Sequence, residues 1–82
     1  MKPFIGCRVN VFGIGEGTIR YIATRGEINK TLDNYLIEID TPYDGHDGSL
    51  APRRCHLKSR RGKWCCRNEF GLLSTHKMRF EL

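Results

Sequence analysis

Hydrophobic and polar positions alternate with a period of two over several short stretches, the mark of strands with one buried face. In CRVNVF, Cys7, Val9 and Val11 fall on one side, and Arg8 and Asn10 on the other. GIGEG follows, placing three glycines between Gly13 and Gly17, where a tight or bulged connection needs positive φ. GTIRYIATR then resumes the alternation, with Ile19, Tyr21 and Ala23 opposed to Arg20, Ile22 and Thr24, so the two segments predict a hairpin. Its β-branched content disfavours helix. RGEINKTLDN, residues 25–34, is polar and irregular and reads as a loop longer than a hairpin needs. NYLIEID gives a third strand with Tyr35, Ile37 and Ile39 on one face, and Thr41-Pro42 ends it because proline cannot donate to a ladder.

The second half is patterned less clearly. YDGHDGS, Tyr43 to Ser49, is dense in Asp and Gly and reads as an exposed turn. From Leu50 to Arg61 there are too few apolar residues to specify a buried element. GKWCC, Gly62 to Cys66, reads as a fourth strand, NEFGLL as a single 3₁₀ turn, and THKMRFEL as a fifth strand with Met78, Phe80 and Leu82 on one face. Five short strands, one early polar loop and a single 3₁₀ turn before the last strand predict a mainly β chain: a five-stranded SH3-like barrel. With 82 residues there is room for one domain, 1–82, and one core.

Two families share features with this pattern. IGCRVNVF followed by GEGTIRYI resembles the first hairpin of KOW-type and CAP-Gly domains, both SH3-like barrels. The likeness to CAP-Gly covers Ile5 to Ser49. GTIRYIA resembles that family's glycine-led second strand and YLIEIDTP its third, while HDGS falls at the end of its Gly-Lys-Asn-Asp-Gly-Ser loop. GKW resembles the family's Gly-x-Phe more loosely. The resemblance implies a protein-interaction module that recognises an acidic peptide tail, with Asp47, Gly48 and Ser49 as loop positions. Gly45 stands where that loop carries its lysine, Asp44 where it carries its first glycine, and Asn34 near the family's tryptophan. Tubulin binding is therefore not carried over. The KOW likeness, over a short motif, implies contact with RNA, DNA or their machinery.

Charge sharpens the choice. The chain has a net charge of +5, from 14 Lys and Arg against 9 Asp and Glu. That average conceals a strong division. Residues 31–52 carry five acidic groups and no Lys or Arg, whereas residues 53–67 carry seven basic groups and no acidic one. Those seven are Arg53, Arg54, Lys58, Arg60, Arg61, Lys63 and Arg67, and Trp64 lies among them. Five are arginines, whose planar fork matches phosphate and stacks on bases. Basic groups beside an aromatic platform offer what nucleic acid needs, phosphate neutralisation together with stacking. The expected partner is accordingly RNA, DNA or a nucleic-acid-associated complex, with an acidic peptide or partner protein as the alternative and a small regulatory role for the chain within a larger complex as a third. A plainer reading is a solvated basic surface, paired internally with the acidic stretch Asp33 to Asp47, with Trp64 as a core residue.

Other chemistries are poorly served. Cys55, His56, Cys65 and His76 offer soft ligands for zinc, but no Cys-x-x-Cys spacing occurs, and Cys65 and Cys66 as strand neighbours face opposite ways. Buried free cysteine is the simpler account. GIGEG lacks the lysine and following helix of a phosphate loop. His46, Asp47 and Ser49 crowd into one loop without an orienting shell, so the chain reads as a non-enzymatic binding module needing no cofactor. The longest apolar run is a few residues, too short for a membrane span, and MKPFIGCRV reads as no signal peptide. The expectation is a cytoplasmic protein with reduced thiols, a monomer or, through an open sheet edge, a weak homodimer.

Overall fold

A computed structural model describes residues 2–24, 33–41, 43 and 61–73. The strand expected over 75–82, the loop over 43–49 except Tyr43, and most of the loop over 25–34 lie outside the described residues. Among the described residues the architecture is mainly β: a five-stranded antiparallel sheet with one short 3₁₀ turn. Its strands are β1 (Arg8–Val11), β2 (Gly15–Ala23), β3 (Asn34–Ile39), β4 (Gly62–Cys66) and β5 (Phe70–Leu72). The order across the sheet is β4-β3-β2-β1-β5, so the chain meanders through four strands and the last returns to pair with the first.

The glycine-rich segment turns the chain between β1 and β2, as its composition predicts. Val11 pairs with Gly15 across a three-residue connection, closed by the Ile14 N–H donating to the Val11 carbonyl at 3.0 Å. Gly13, at φ 81°, takes a conformation that side-chain-bearing residues avoid. Gly17 serves a different need. A Cβ there would lie 2.6 Å from the Glu38 carbonyl oxygen and 2.8 Å from Ile37 Cγ2, so only glycine lets β2 and β3 approach this closely.

The expected faces hold for β1 and β3. Cys7, Val9 and Val11 are buried in the core with Tyr35, Ile37 and Ile39. In β2 the alternation breaks. Ile19 pairs with Ile37, but Tyr21, not Arg20, pairs with Leu36, making Arg20 the extra residue of a bulge. Beyond it the faces exchange: Ile22 pairs with Tyr35 and packs against the core, while Tyr21 joins Leu36 on the opposite face. The grouping of Ile19, Tyr21 and Ala23 on a single side is thus corrected, because a one-residue insertion reverses every later side chain in a period-two strand.

A second correction concerns NEFGLL. The 3₁₀ turn spans Arg67–Glu69, and Phe70–Leu72 is strand, paired with β1 through Val11–Phe70, Asn10–Gly71 and Val9–Leu72.

The sheet is strongly curled. Strands lie roughly 4.8 Å apart, so β3 and β5, three spacings apart, would stand roughly 14 Å apart if flat. Instead the Tyr35 and Phe70 rings meet edge to face with centroids 5.2 Å apart. The edge strands β4 and β5 are joined only by the 3₁₀ turn, which at about 2 Å per residue spans about 6 Å. Among the described residues no ladder joins β4 to β5, so the sheet remains open at that seam. The concave side holds the core, with Phe70, Ile19, Ile37, Ile39, Val9, Val11 and Cys65 fully buried.

Candidate nucleic-acid interface

The convex face carries the polar chemistry, and β3 organises it. All six residues of β3 are buried, on the convex side as well as the concave. Its outward residues, Asn34, Leu36 and Glu38, alternate with the core residues and stand opposite Cys66, Trp64 and Gly62 of β4. On the β2 side they stand opposite Ala23, Tyr21 and Thr18. Three rows therefore cross the sheet: a charged row, an aromatic row and a row containing a thiol.

In the charged row the acidic residues of β3 and its exit are neutralised by arginines from the first hairpin. Arg20 Nε donates to Glu38 Oε1 at 2.9 Å, an orientation made possible by the bulge that turns both Arg20 and Tyr21 outward. Arg8 Nη1 donates to Asp40 Oδ1 at 2.8 Å and to Thr18 Oγ1 at 2.7 Å. Arg8 Nη2 bonds Asp40 Oδ2 and also reaches Glu16 Oε1 at 3.4 Å. The fork-to-fork geometry of Arg8 and Asp40 is the strong form of this pair. It holds the Asp40 carboxyl below the ordinary carboxylate range, mainly through the Arg8 hydrogen bond, with nearby Arg61 and Arg20 adding positive potential. The same hydrogen bond raises Arg8 further above its already high value.

In the aromatic row Tyr21, Leu36 and Trp64 occupy successive strands β2, β3 and β4. The two rings lean together over Leu36, with centroids 6.3 Å apart and planes at 89°. Leu36 is fully buried, whereas Tyr21 and Trp64 are each partly exposed. A cross-strand aromatic pair of this kind adds about 0.5–1 kcal/mol beyond its buried area. In the third row Asn34 Nδ2 donates to Cys66 Sγ at 3.7 Å.

Four of the residues singled out for nucleic acid, Arg53, Arg54, Lys58 and Arg60, lie outside the described residues, as do Asp47, Gly48 and Ser49 of the peptide alternative. The remaining four do not share one face. Trp64 is convex, and Lys63, opposite Ile37, alternates to the other side at the sheet edge. Arg61 precedes β4, its carbonyl accepting from the Ile39 N–H at 2.8 Å. Arg67 is exposed on the 3₁₀ turn, where Nη1 donates to the Phe70 carbonyl at 2.8 Å and the guanidinium stands 4.9 Å from the Phe70 ring centroid. Glu38 and Asp40 of the acidic stretch form ion pairs with Arg20 and Arg8, and a pairing of that stretch with Arg53 to Arg60 lies outside the described residues.

Of the zinc candidates, Cys55, His56 and His76 lie outside the described residues, and Cys65 is buried in the core. Cys65 and Cys66 do face opposite ways, as strand neighbours should. Cys7 and Cys66 are free thiols. Among the described residues no group of three or more His, Cys, Asp or Glu side chains is arranged to hold a metal ion. No described helix is long and apolar enough to cross a membrane.

Tyr21 is the convex-face residue that the sequence pattern misplaces. Its signal is absent from the sequence because the bulge at Arg20 carries no glycine or proline to announce it. Comparison of the chain with protein-family models, with curated proteins and with solved structures finds no match.

Proposed function

We propose that this chain is a non-enzymatic, single-domain binding module of the SH3-like barrel type, related in plan to KOW and CAP-Gly domains, that contacts RNA, DNA or a nucleic-acid-associated complex. Barrel closure is favoured by the return of the last strand to the first and by the short β4-to-β5 connection. The phosphate contacts are assigned to Arg53, Arg54, Lys58, Arg60, Arg61 and Lys63, with Arg67 at the border of the segment. Trp64 supplies a stacking surface. The module works in the cytoplasm as a monomer or weak homodimer.

The observation that carries this reading is the concentration of seven positive charges and no negative one in residues 53–67. It is supported by the ion pairs of the sheet, in which Arg20 and Arg8 of the first hairpin help to neutralise Glu38 and Asp40.

The test is the salt dependence of binding. Each neutralised phosphate releases counterions, so four contacts to a single strand lower affinity roughly 50-fold between about 50 and 200 mM salt. A flat affinity, or no binding at low salt, rejects the reading. Titration with peptides ending in acidic and aromatic residues, followed by NMR, tests the alternative: shifts confined to residues 43–49 would favour an acidic peptide tail over nucleic acid.

A further inference from the structure

We infer that the nucleic acid taken by this module is single-stranded, and that an unstacked base packs against the Tyr21–Trp64 pair on the convex face. This deepens the proposed function and rests on it.

Three observations converge on this pair. The bulge at Arg20 turns Tyr21 away from the core and places it in register with Leu36 and, one strand further, Trp64. Leu36, in register with both residues, is fully buried, while Tyr21 and Trp64 are each partly exposed. Arg20, paired with Glu38, lies on the same face, and in the sequence Trp64 follows closely on the segment holding Arg53 to Arg61. The pair offers the planar contact, and the basic segment that precedes Trp64 in the sequence offers the cations, that a ligand both anionic and planar takes.

Strand number follows from the ring geometry. With planes at 89°, a base lying flat on one ring meets the edge of the other, so the pair forms a corner that accepts one base. A duplex presents base edges and phosphates in its grooves and keeps its base faces stacked. Single strands expose those faces, and stacking on aromatic side chains is how sequence-tolerant single-strand sites gain affinity.

Trp64 is the only tryptophan, so its emission reports this site alone. A fluorescein-labelled oligo-dT of roughly twelve nucleotides and a duplex of equal length are titrated into the protein at about 50 mM salt, with anisotropy reading binding and Trp64 emission reading stacking. The single strand is expected to quench Trp64 by about half, and the duplex to bind about tenfold more weakly without quenching. Tyr21→Leu, which keeps an apolar side chain over Leu36, is expected to weaken single-strand binding about tenfold and leave duplex binding unchanged, with a urea midpoint confirming that it folds. If both oligonucleotides bind while Trp64 emission stays constant in the unaltered protein, the single-strand site is overturned and the basic-segment reading survives. Equal affinity for duplex and single strand also overturns it. If neither binds, both fall.

Discussion

The two faces of the sheet solve the burial of β3 by different means. On the concave side Tyr35, Ile37 and Ile39 join a continuous apolar core closed by Phe70, where contacts are numerous and non-directional. On the convex side the same strand buries Leu36 beneath two aromatic rings and Glu38 beside a guanidinium. The first face is bound by the hydrophobic effect and tolerates little change, while the second depends on pairings that leave polar and aromatic edges in water. That difference separates the face that carries the continuous apolar core from the face that carries the ion pairs and the Tyr21–Trp64 contact.

The largest effect belongs to the concave face. Phe70 is 1% exposed and is the ring through which β5 reaches Tyr35, so Phe70→Ala is expected to cost about 3–5 kcal/mol in urea unfolding. A loss below about 1 kcal/mol would mean that β5 is not part of the core. Leu36→Ala probes the convex face at the same depth and is expected to cost about 2–4 kcal/mol. It should also alter Trp64 emission, because the ring loses its support; an unchanged spectrum would separate Trp64 from Leu36.

Gly17→Ala probes the close approach of β2 and β3. The new Cβ would meet the Glu38 backbone at 2.6 Å, and backbone cannot rotate aside, so the β2–β3 ladder shifts at a cost of about 1–3 kcal/mol. Amide exchange at Ile37 and Glu38 would report it, and unchanged protection would refute the close approach.

The smallest effect is at Asp40, which is exposed and screened. Asp40→Asn is expected to lose no more than about 1 kcal/mol at neutral pH. The sign with pH follows from the lowered folded-state value. The stabilisation from Asp40 is complete above the ordinary value of 3.8 and is lost as pH falls through the lower folded value. Stability of the parent chain and of Asp40→Asn therefore converges in acid. A difference that grew below pH 3.8 would contradict the Arg8–Asp40 pairing.

Period-two alternation made β1 and β3 legible and located β2, although the bulge reverses the faces it assigned beyond Ile19, while β4 was read from GKWCC and its opening glycine Gly62. The turn at GIGEG was equally plain, since glycine alone relaxes the local backbone. β5 was not legible: Phe70-Gly71-Leu72 is too short to show a period, and its strand character comes from pairing with Val9, Asn10 and Val11, some sixty residues earlier. The basic segment was visible as composition, but its described members alternate between faces once Lys63 and Trp64 enter β4.

The sequence by itself determined that this is a mainly β chain with a glycine hairpin, a buried third strand and a strongly basic segment beside an acidic one. These are local properties of residue type and spacing. Tertiary structure alone decided that the bulge at Arg20 turns Tyr21 outward to meet Trp64, that Arg8 and Arg20 neutralise the acids of β3 and its exit, and that β5 closes the core. Each depends on register between strands distant in the chain, and a one-residue change in register moves every following side chain to the other face.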